Sequence, residues 1–342
     1  MDPITQGVLG GVAAQQVSQK KQKLAAGVVG WLAGMAADLD VLISSDSDPL
    51  LFLEYHRHFT HALVFIPIGA LLCALFFHFV FKRWFKRIEL SFRETYLFSF
   101  AGYATHALLD ACTTYGTQLL WPFSDARIAW NTVSVVDPLF TLPLLFLLVV
   151  SVMKRSQSWA GASAAYVVLY FSLGLLQNQR AESLAFSLAE QRGHTPVQLG
   201  VKPSFANILV WKSVYEFEGF YYVDAIRVGL TDKVYEGVSV KKLDLKKHFV
   251  WLSSGSQQAK DIERFRWFSN QHLAIDPTNG MRIIDVRYSL IPNEVGGMWG
   301  IVLDENADQT QHIRWTTDRP GSAETASLMK RLWRMIKGQE LD

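Results

Sequence analysis

The chain has 342 residues, half of them AVILMFWYC and only 19% charged, with a formal net charge of +2. So small a charge points away from a nucleic acid or other polyanion as partner. The two cysteines, Cys73 and Cys112, both lie inside apolar runs, which argues against a disulfide framework or a cysteine-based zinc site.

The mean hydropathy of +0.13 averages over two unlike halves. Asp2 is the first charge, so no basic n-region and no cleaved signal peptide is expected. Ile4 to Ser18 reads as a short apolar helix rich in small residues, suited to close packing against another helix. Lys20, Lys21 and Lys23 precede a second apolar run, Leu24 to Ser44, which carries Asp38 and Asp40 near its end. A polar connector over 45–54 leads into Tyr55-His-Arg-His-Phe-Thr-His61 and then a long span, Ala62 to Phe81. Lys82, Arg83, Lys86, Arg87 and Arg93 form a basic loop before a helix over 95–113 that holds His106 and Asp110. After an irregular stretch with Trp121-Pro122-Phe123-Ser124-Asp125, Asp137-Pro138 opens a further span to Met153, and Trp159–Gln177 is the last. Asn178–Gln191 reads as a separate helix, 205–316 alternates as strands with turns at Gly219, Gly237, Asn279-Gly280 and Gly296-Gly297, and Ser322–Lys337 reads as an exposed helix.

The expected fold is thus a multi-pass α-helical membrane domain over 1–177, of about five spans counting the short first helix, followed by a soluble β-rich α+β domain over 178–342. Basic loops face the cytoplasm, so the clusters at 20–23, 82–93 and 154–155 place the opposite helix ends outside. Asp38, Asp40, His56, His58, His61, His106, Asp110 and Asp137 all fall at that outer end. The tail domain falls on the same side, which makes it periplasmic.

His106 and Asp110 are four apart and share one helix face. On an apolar helix they are costly to bury unless paired with each other, with a neighbouring helix, or with a metal. His56 and His61 suit zinc or manganese, or simple hydrogen bonding at headgroup level. Asp38 and Asp40 are two apart, so one helix cannot aim both at one point; one can ligate while the other orients a ligand, or both can cap. Asp137 before Pro138 reads as a helix start, with an N-cap as the plain alternative. Arg57 and Arg127 read as clamps for an anion or as headgroup anchors.

Asp2-Pro-Ile-Thr-Gln-Gly, Asp38-Leu-Asp40, His56-Arg57-x-Phe-Thr-His61, His106-x-x-Leu-Asp110-Ala-x-Thr-Thr-Tyr-Gly, Trp121-Pro-Phe-Ser-Asp125 and Asp137-Pro138-Leu together resemble the YdjM-like family of bacterial inner-membrane proteins, described as metal-dependent hydrolases. His58 stands where that family usually has Gly and is not carried over as a ligand. A more distant resemblance is to the zinc-dependent phospholipase C and single-strand nuclease group, in the order Asp40, His61, His106 and Asp110. The downstream histidines of that group have no counterpart, which implies one or two ions rather than three.

The expected function is metal-dependent hydrolysis of a phosphoester or lipid-derived substrate, with zinc the expected ion and manganese the alternative. His61, His106, Asp110, Asp40 and His56 are the candidate ligands. Asp38 or Asp137 would orient ligands or take a proton, and Arg57 and Arg127 would neutralise substrate charge. The rival reading is a non-catalytic membrane protein with a structural metal and a partner-binding periplasmic domain. The ligand atoms should converge within roughly 3–4.5 Å of one another if they share an ion, with Gln6 and Asp137 lining the pocket and Arg57 or Arg127 at its rim.

Overall fold

The computed structural model describes residues 1–84, 90–318 and 320–341. Lys86 and Arg87 of the expected basic loop lie outside the described residues. The chain divides into two compact units. The first comprises 1–43, 55–175 and 205–207; the second comprises 44–54, 176–204 and 208–342.

In the first unit, α1 (Pro3–Gln16) begins at Asp2, whose side chain accepts from Thr5 N, with Pro3 in the first turn, where the missing N–H costs nothing. α2 (Lys23–Met35) tightens at its end into a 3-10 turn, Ala36–Leu42, which carries Asp38 and Asp40. A short α3 (Leu51–Tyr55) and two 3-10 turns, Phe59–His61 and Leu63–Phe65, lead into α4 (Ile66–Trp84). α5 (Phe92–Ala111) opens with a reciprocal cap: Ser91 Oγ accepts from Glu94 N while the Glu94 carboxylate accepts from Ser91 N. α6 (Pro138–Lys154) starts at Asp137, which accepts from Phe140 N.

Among the described residues, three helices are long and apolar enough to cross a membrane: Lys20–Leu42, Leu63–Arg83 and Gln157–Gln191; Pro138–Lys154 is apolar but shorter. On α4 the exposed side chains include Ile68, Leu71, Leu72, Leu75, Phe76 and Phe79. So continuous an apolar face suits lipid rather than water. Lys23, expected in the first basic cluster, is instead buried, where its Nζ donates to Gln15 O at 2.5 Å and Gln157 Oε1 at 2.6 Å.

Glycine sets how closely α1, α2 and α5 approach. A Cβ on Gly10 would lie 2.3 Å from Gly30 O, and one on Gly102 would lie 2.4 Å from the same oxygen. No larger residue lets these backbones meet.

The expected break near Gln177 does not occur. α7 runs unbroken over Gln157–Gln191, 35 residues. Gln177, Asn178, Gln179 and Arg180 are polar but carry no helix-breaking proline, so polarity changes along the helix without ending it.

In the second unit two four-stranded antiparallel sheets follow in sequence order. The first holds β1 (Gln198–Pro203), β2 (Val210–Phe217), β3 (Phe220–Arg227) and β4 (Lys233–Lys241). β2 and β3 are joined by Glu218-Gly219, both at positive φ, the two-residue turn that matches strand twist. After α8 (Leu245–His248) and α9 (Gln257–Phe268), the second sheet holds β5 (Leu273–Asp276), β6 (Asn279–Asp285), β7 (Trp299–Val302) and β8 (Arg314–Thr317). Val214, Tyr221 and Val223 of the first sheet pack against Ala274, Ile284 and Val286. α10 (Ser322–Lys337), expected to be exposed, instead buries Leu332 and Met335 against Val210, Ala225 and Tyr235; its other face stays in solvent. The 45–54 connector is also structured, with Leu50 and Leu53 in one cluster with Ile262, Phe265 and Ile283, and Arg264 bridging Asp48 and Glu54.

Candidate metal centre

Three elements of the first unit, the 3-10 turns Ala36–Leu42 and Phe59–His61 and helix α5, bring titratable groups to one point. One ligand atom each from Asp38, His61, His106 and Asp110 lie within 4.8 Å of one another, and Asp38, Asp40 and His56 form a second such group sharing Asp38. His61, His106 and Asp110 are fully buried. Asp38 and His56 keep side-chain exposures of 23% and 33%, so the cluster opens to its surroundings on their side.

The two histidines face each other, His61 Nε2 to His106 Nε2 at 2.9 Å. Their other nitrogens decide which tautomer each ring carries. His106 Nδ1 lies 2.5 Å from Gly34 O, which can only accept, so the Nδ1 proton is on the far side and Nε2 presents a lone pair. Thr60 Oγ1 donates its single proton to Asp40 Oδ2 at 2.8 Å, so it must accept from His61 Nδ1 at 2.9 Å. His61 Nε2 then also presents a lone pair. Two lone pairs 2.9 Å apart in a buried site repel unless a proton or a cation sits against them. Burial pushes the pKa of the His61 imidazole down, but the hydrogen bonds it can donate to Asp110, Asp38 and Asp40 outweigh that and raise it to about 10. The cluster therefore holds positive charge strongly, and a metal would compete with that proton.

The carboxylates differ in what they have left to offer. Asp40 is saturated, accepting from His56 Nδ1 at 2.8 Å, Arg57 N at 3.0 Å and Thr60 Oγ1, with His61 Nδ1 at 3.2 Å. Asp38 Oδ1 stands on the lone-pair side, 3.2 Å from His106 Nε2 and 3.6 Å from His61 Nε2. The two carboxylates thus reach opposite nitrogens of one imidazole, as their spacing of two requires. Asp110 Oδ2 lies 3.5 Å from His61 Nε2 and 2.9 Å from Arg57 Nε, with no well-formed hydrogen bond. Asp110 Oδ1 accepts from Gln6 Nε2 at 2.7 Å and lies 2.5 Å from the Met1 amino nitrogen.

Arg57 is buried, at φ 69°, with Nη1 donating to Thr113 Oγ1 and its guanidinium 4.9 Å from the Tyr115 ring. Arg127 donates to the carbonyls of Tyr115 and Gly116. Asp137 belongs to neither ligand group: it caps α6 and accepts from Tyr170 Oη at 2.7 Å. A residue before Pro138 at a helix start is spent on backbone N–H groups, which is why it is not delivered to the cluster.

Gly34 and Met1 reach the cluster through a backbone carbonyl and a terminal amine, which residue type does not signal. Thr60 carried a signal, since a hydroxyl beside a histidine at a helix start can fix that ring. The donor set, two imidazoles and two carboxylates without a thiolate, fits zinc or manganese. In this arrangement Asp40 acts through His61, so Asp40→Asn should weaken metal binding by roughly 10–100-fold without removing a ligand. Isothermal titration of zinc into each protein would measure this, and an unchanged affinity would take Asp40 out of the site.

A family model described as YdjM inner membrane protein matches residues 1–181. Among curated relatives, the inner membrane protein YbcI of Escherichia coli (strain K12) is 34% identical over 110 residues. That match covers 31% of this chain and 60% of YbcI, less than two thirds of its length. No solved structure matches the chain.

Proposed function

The chain belongs to the YdjM inner membrane protein family, and from that premise and the buried cluster we propose that it is a membrane-bound metal-dependent hydrolase of phosphoesters. The observation that carries the metal is the convergence of one donor atom each from Asp38, His61, His106 and Asp110 within 4.8 Å of one another, two of them imidazole nitrogens 2.9 Å apart. Asp38, His61, His106 and Asp110 hold the ion; Asp40 orients His61, and Gly34 O orients His106. When bound, a divalent ion there supplies a nucleophile near neutral pH by acidifying water.

The protein's own groups do the rest. Arg57 and Gln6 hold Asp110 in place. Asp38 and His56, the two partly exposed members, stand at the mouth, where His56 is the group placed to exchange a proton with solvent. Arg57 supplies fixed positive charge beside the site, and Arg127 stands on the neighbouring Tyr115-Gly116 backbone. Asp137 serves the site only by starting α6. About five crossings, counting α1 and α5, would put the basic clusters in the cytoplasm and the cluster and tail domain in the periplasm. An amphiphilic substrate would reach such a site by lateral diffusion.

One observation favours a second reading, a purely structural metal. Four protein donors are the number that closes a structural zinc site. The partly exposed Asp38 and the absence of thiolate donors favour the catalytic reading instead. Purified full-length protein, loaded with zinc or manganese, should hydrolyse members of a panel of chromogenic phosphomonoesters, phosphodiesters and phospholipids. The rate should fall at least about 100-fold in His56→Ala if that residue exchanges the proton. Wild-type protein with a full metal complement and no turnover across the panel would establish the structural reading.

A further inference from the structure

The second unit contains a groove of about 560 Å³ at the point where the chain leaves the first sheet. Its lining combines the β2–β3 turn, Glu218 to Phe220, with the segment Lys241-Lys-Leu-Asp-Leu-Lys-Lys247 and Arg266 of α9. Phe220 pairs with Lys241 in the β3–β4 ladder, and Lys242 N donates to Gly219 O, so the turn and the basic segment are held side by side.

The chemistry of the lining is uneven. Five cationic side chains, Lys241, Lys242, Lys246, Lys247 and Arg266, face two carboxylates, Glu218 and Asp244. Three of the cations have partners: Lys242 with Glu216, Lys247 with Asp244, and Arg266 with Glu263. Lys241 and Lys246 are exposed and make no ion pair among the described residues. The whole chain carries only +2, so this is a local concentration of charge. The lining also holds the apolar side chains Phe220, Leu243 and Leu245. The volume lies in the range of ~300–1,000 Å³ typical of ligand pockets.

We propose that this groove binds the phosphate group of an anionic amphiphile, with Lys241 and Lys246 on the phosphate and Phe220, Leu243 and Leu245 against the adjoining apolar chain. Lysine is a compact point charge that attracts phosphate without demanding one geometry. A lining with both cationic and apolar side chains selects a ligand with both characters. The groove shares no residue with the metal cluster and does not depend on the hydrolase reading.

The test uses the full chain in a neutral detergent and three probes: dihexanoyl-phosphatidylglycerol, dihexanoyl-phosphatidylcholine and inorganic phosphate, each titrated by calorimetry. The anionic lipid should bind most tightly, weakening as salt rises. The double variant Lys241→Gln/Lys246→Gln should weaken that binding by roughly 30-fold. The titrations use protein freed of metal with a chelator, so that binding at the groove is read apart from the metal centre. Inorganic phosphate binding as tightly as the lipid, with the same loss in the double variant, would keep the phosphate site and identify a soluble source. Equal binding of both lipids, no binding of any probe, or a double variant that binds like wild type would overturn the proposal.

Discussion

Replacing His106 by alanine is expected to strip the metal from the purified protein while leaving it inserted in the membrane. His106 offers its Nε2 lone pair 2.9 Å from that of His61 and 3.2 Å from Asp38 Oδ1, so one substitution removes a donor from the centre of the cluster. Metal affinity should fall more than ~100-fold, beyond what the loss of an orienting group costs. The substitution also leaves Gly34 O without its imidazole partner, at ~1–3 kcal/mol. Metal content must therefore be compared in protein that still elutes as a single folded species. Asp110→Asn, which preserves shape, supplies the second arm. If both variants retain the wild-type metal content, the histidines and carboxylates pair only with one another.

The second large effect is expected at a residue with no side chain. A Cβ on Gly102 would meet Gly30 O at 2.4 Å and Gly30 Cα at 2.8 Å, both backbone atoms that cannot swing aside. Four residues on along each helix, His106 of α5 meets Gly34 O of α2. The glycine contact and the histidine anchor thus share one register, one helical turn apart. Gly102→Val should force α2 and α5 apart, at about 1–3 kcal/mol or more for overpacking, and release His106 from the carbonyl that orients it. Thermal stability and metal affinity should fall together. Gly161→Ala is the matched control, because nothing lies within 4 Å of a Cβ there. A Gly102→Val protein that melts and binds zinc like wild type would show that the close approach sets neither.

The legible parts of this protein were those written in side-chain chemistry. His106 and Asp110 share a helix face by spacing alone, and the position of His61 and Asp38 at the ends of apolar runs follows from where the polar residues interrupt each run. The division of labour between Asp38 and Asp40 was legible only as a choice. The 3-10 turn over Ala36–Leu42 sends them to opposite nitrogens of His61. What was not legible depends on long-range partners. Glu54 and Asp48 read as a connector because Arg264, which holds them, lies more than 200 positions away. The break expected at Gln177 failed because a change of polarity is not a helix stop. Lys23 reads as one of a basic cluster, yet its ammonium is capped by two backbone carbonyls and Gln157.

The most direct test of the metal centre is an anomalous difference map from crystals of the wild-type protein loaded with zinc, collected at the zinc edge. The account predicts a single strong peak between His61 Nε2 and His106 Nε2, ~2.0–2.1 Å from each and within reach of Asp38 and Asp110. A map with no peak within about 4 Å of either nitrogen, with the two rings still in contact, would contradict it and leave the cluster as a buried hydrogen-bond network.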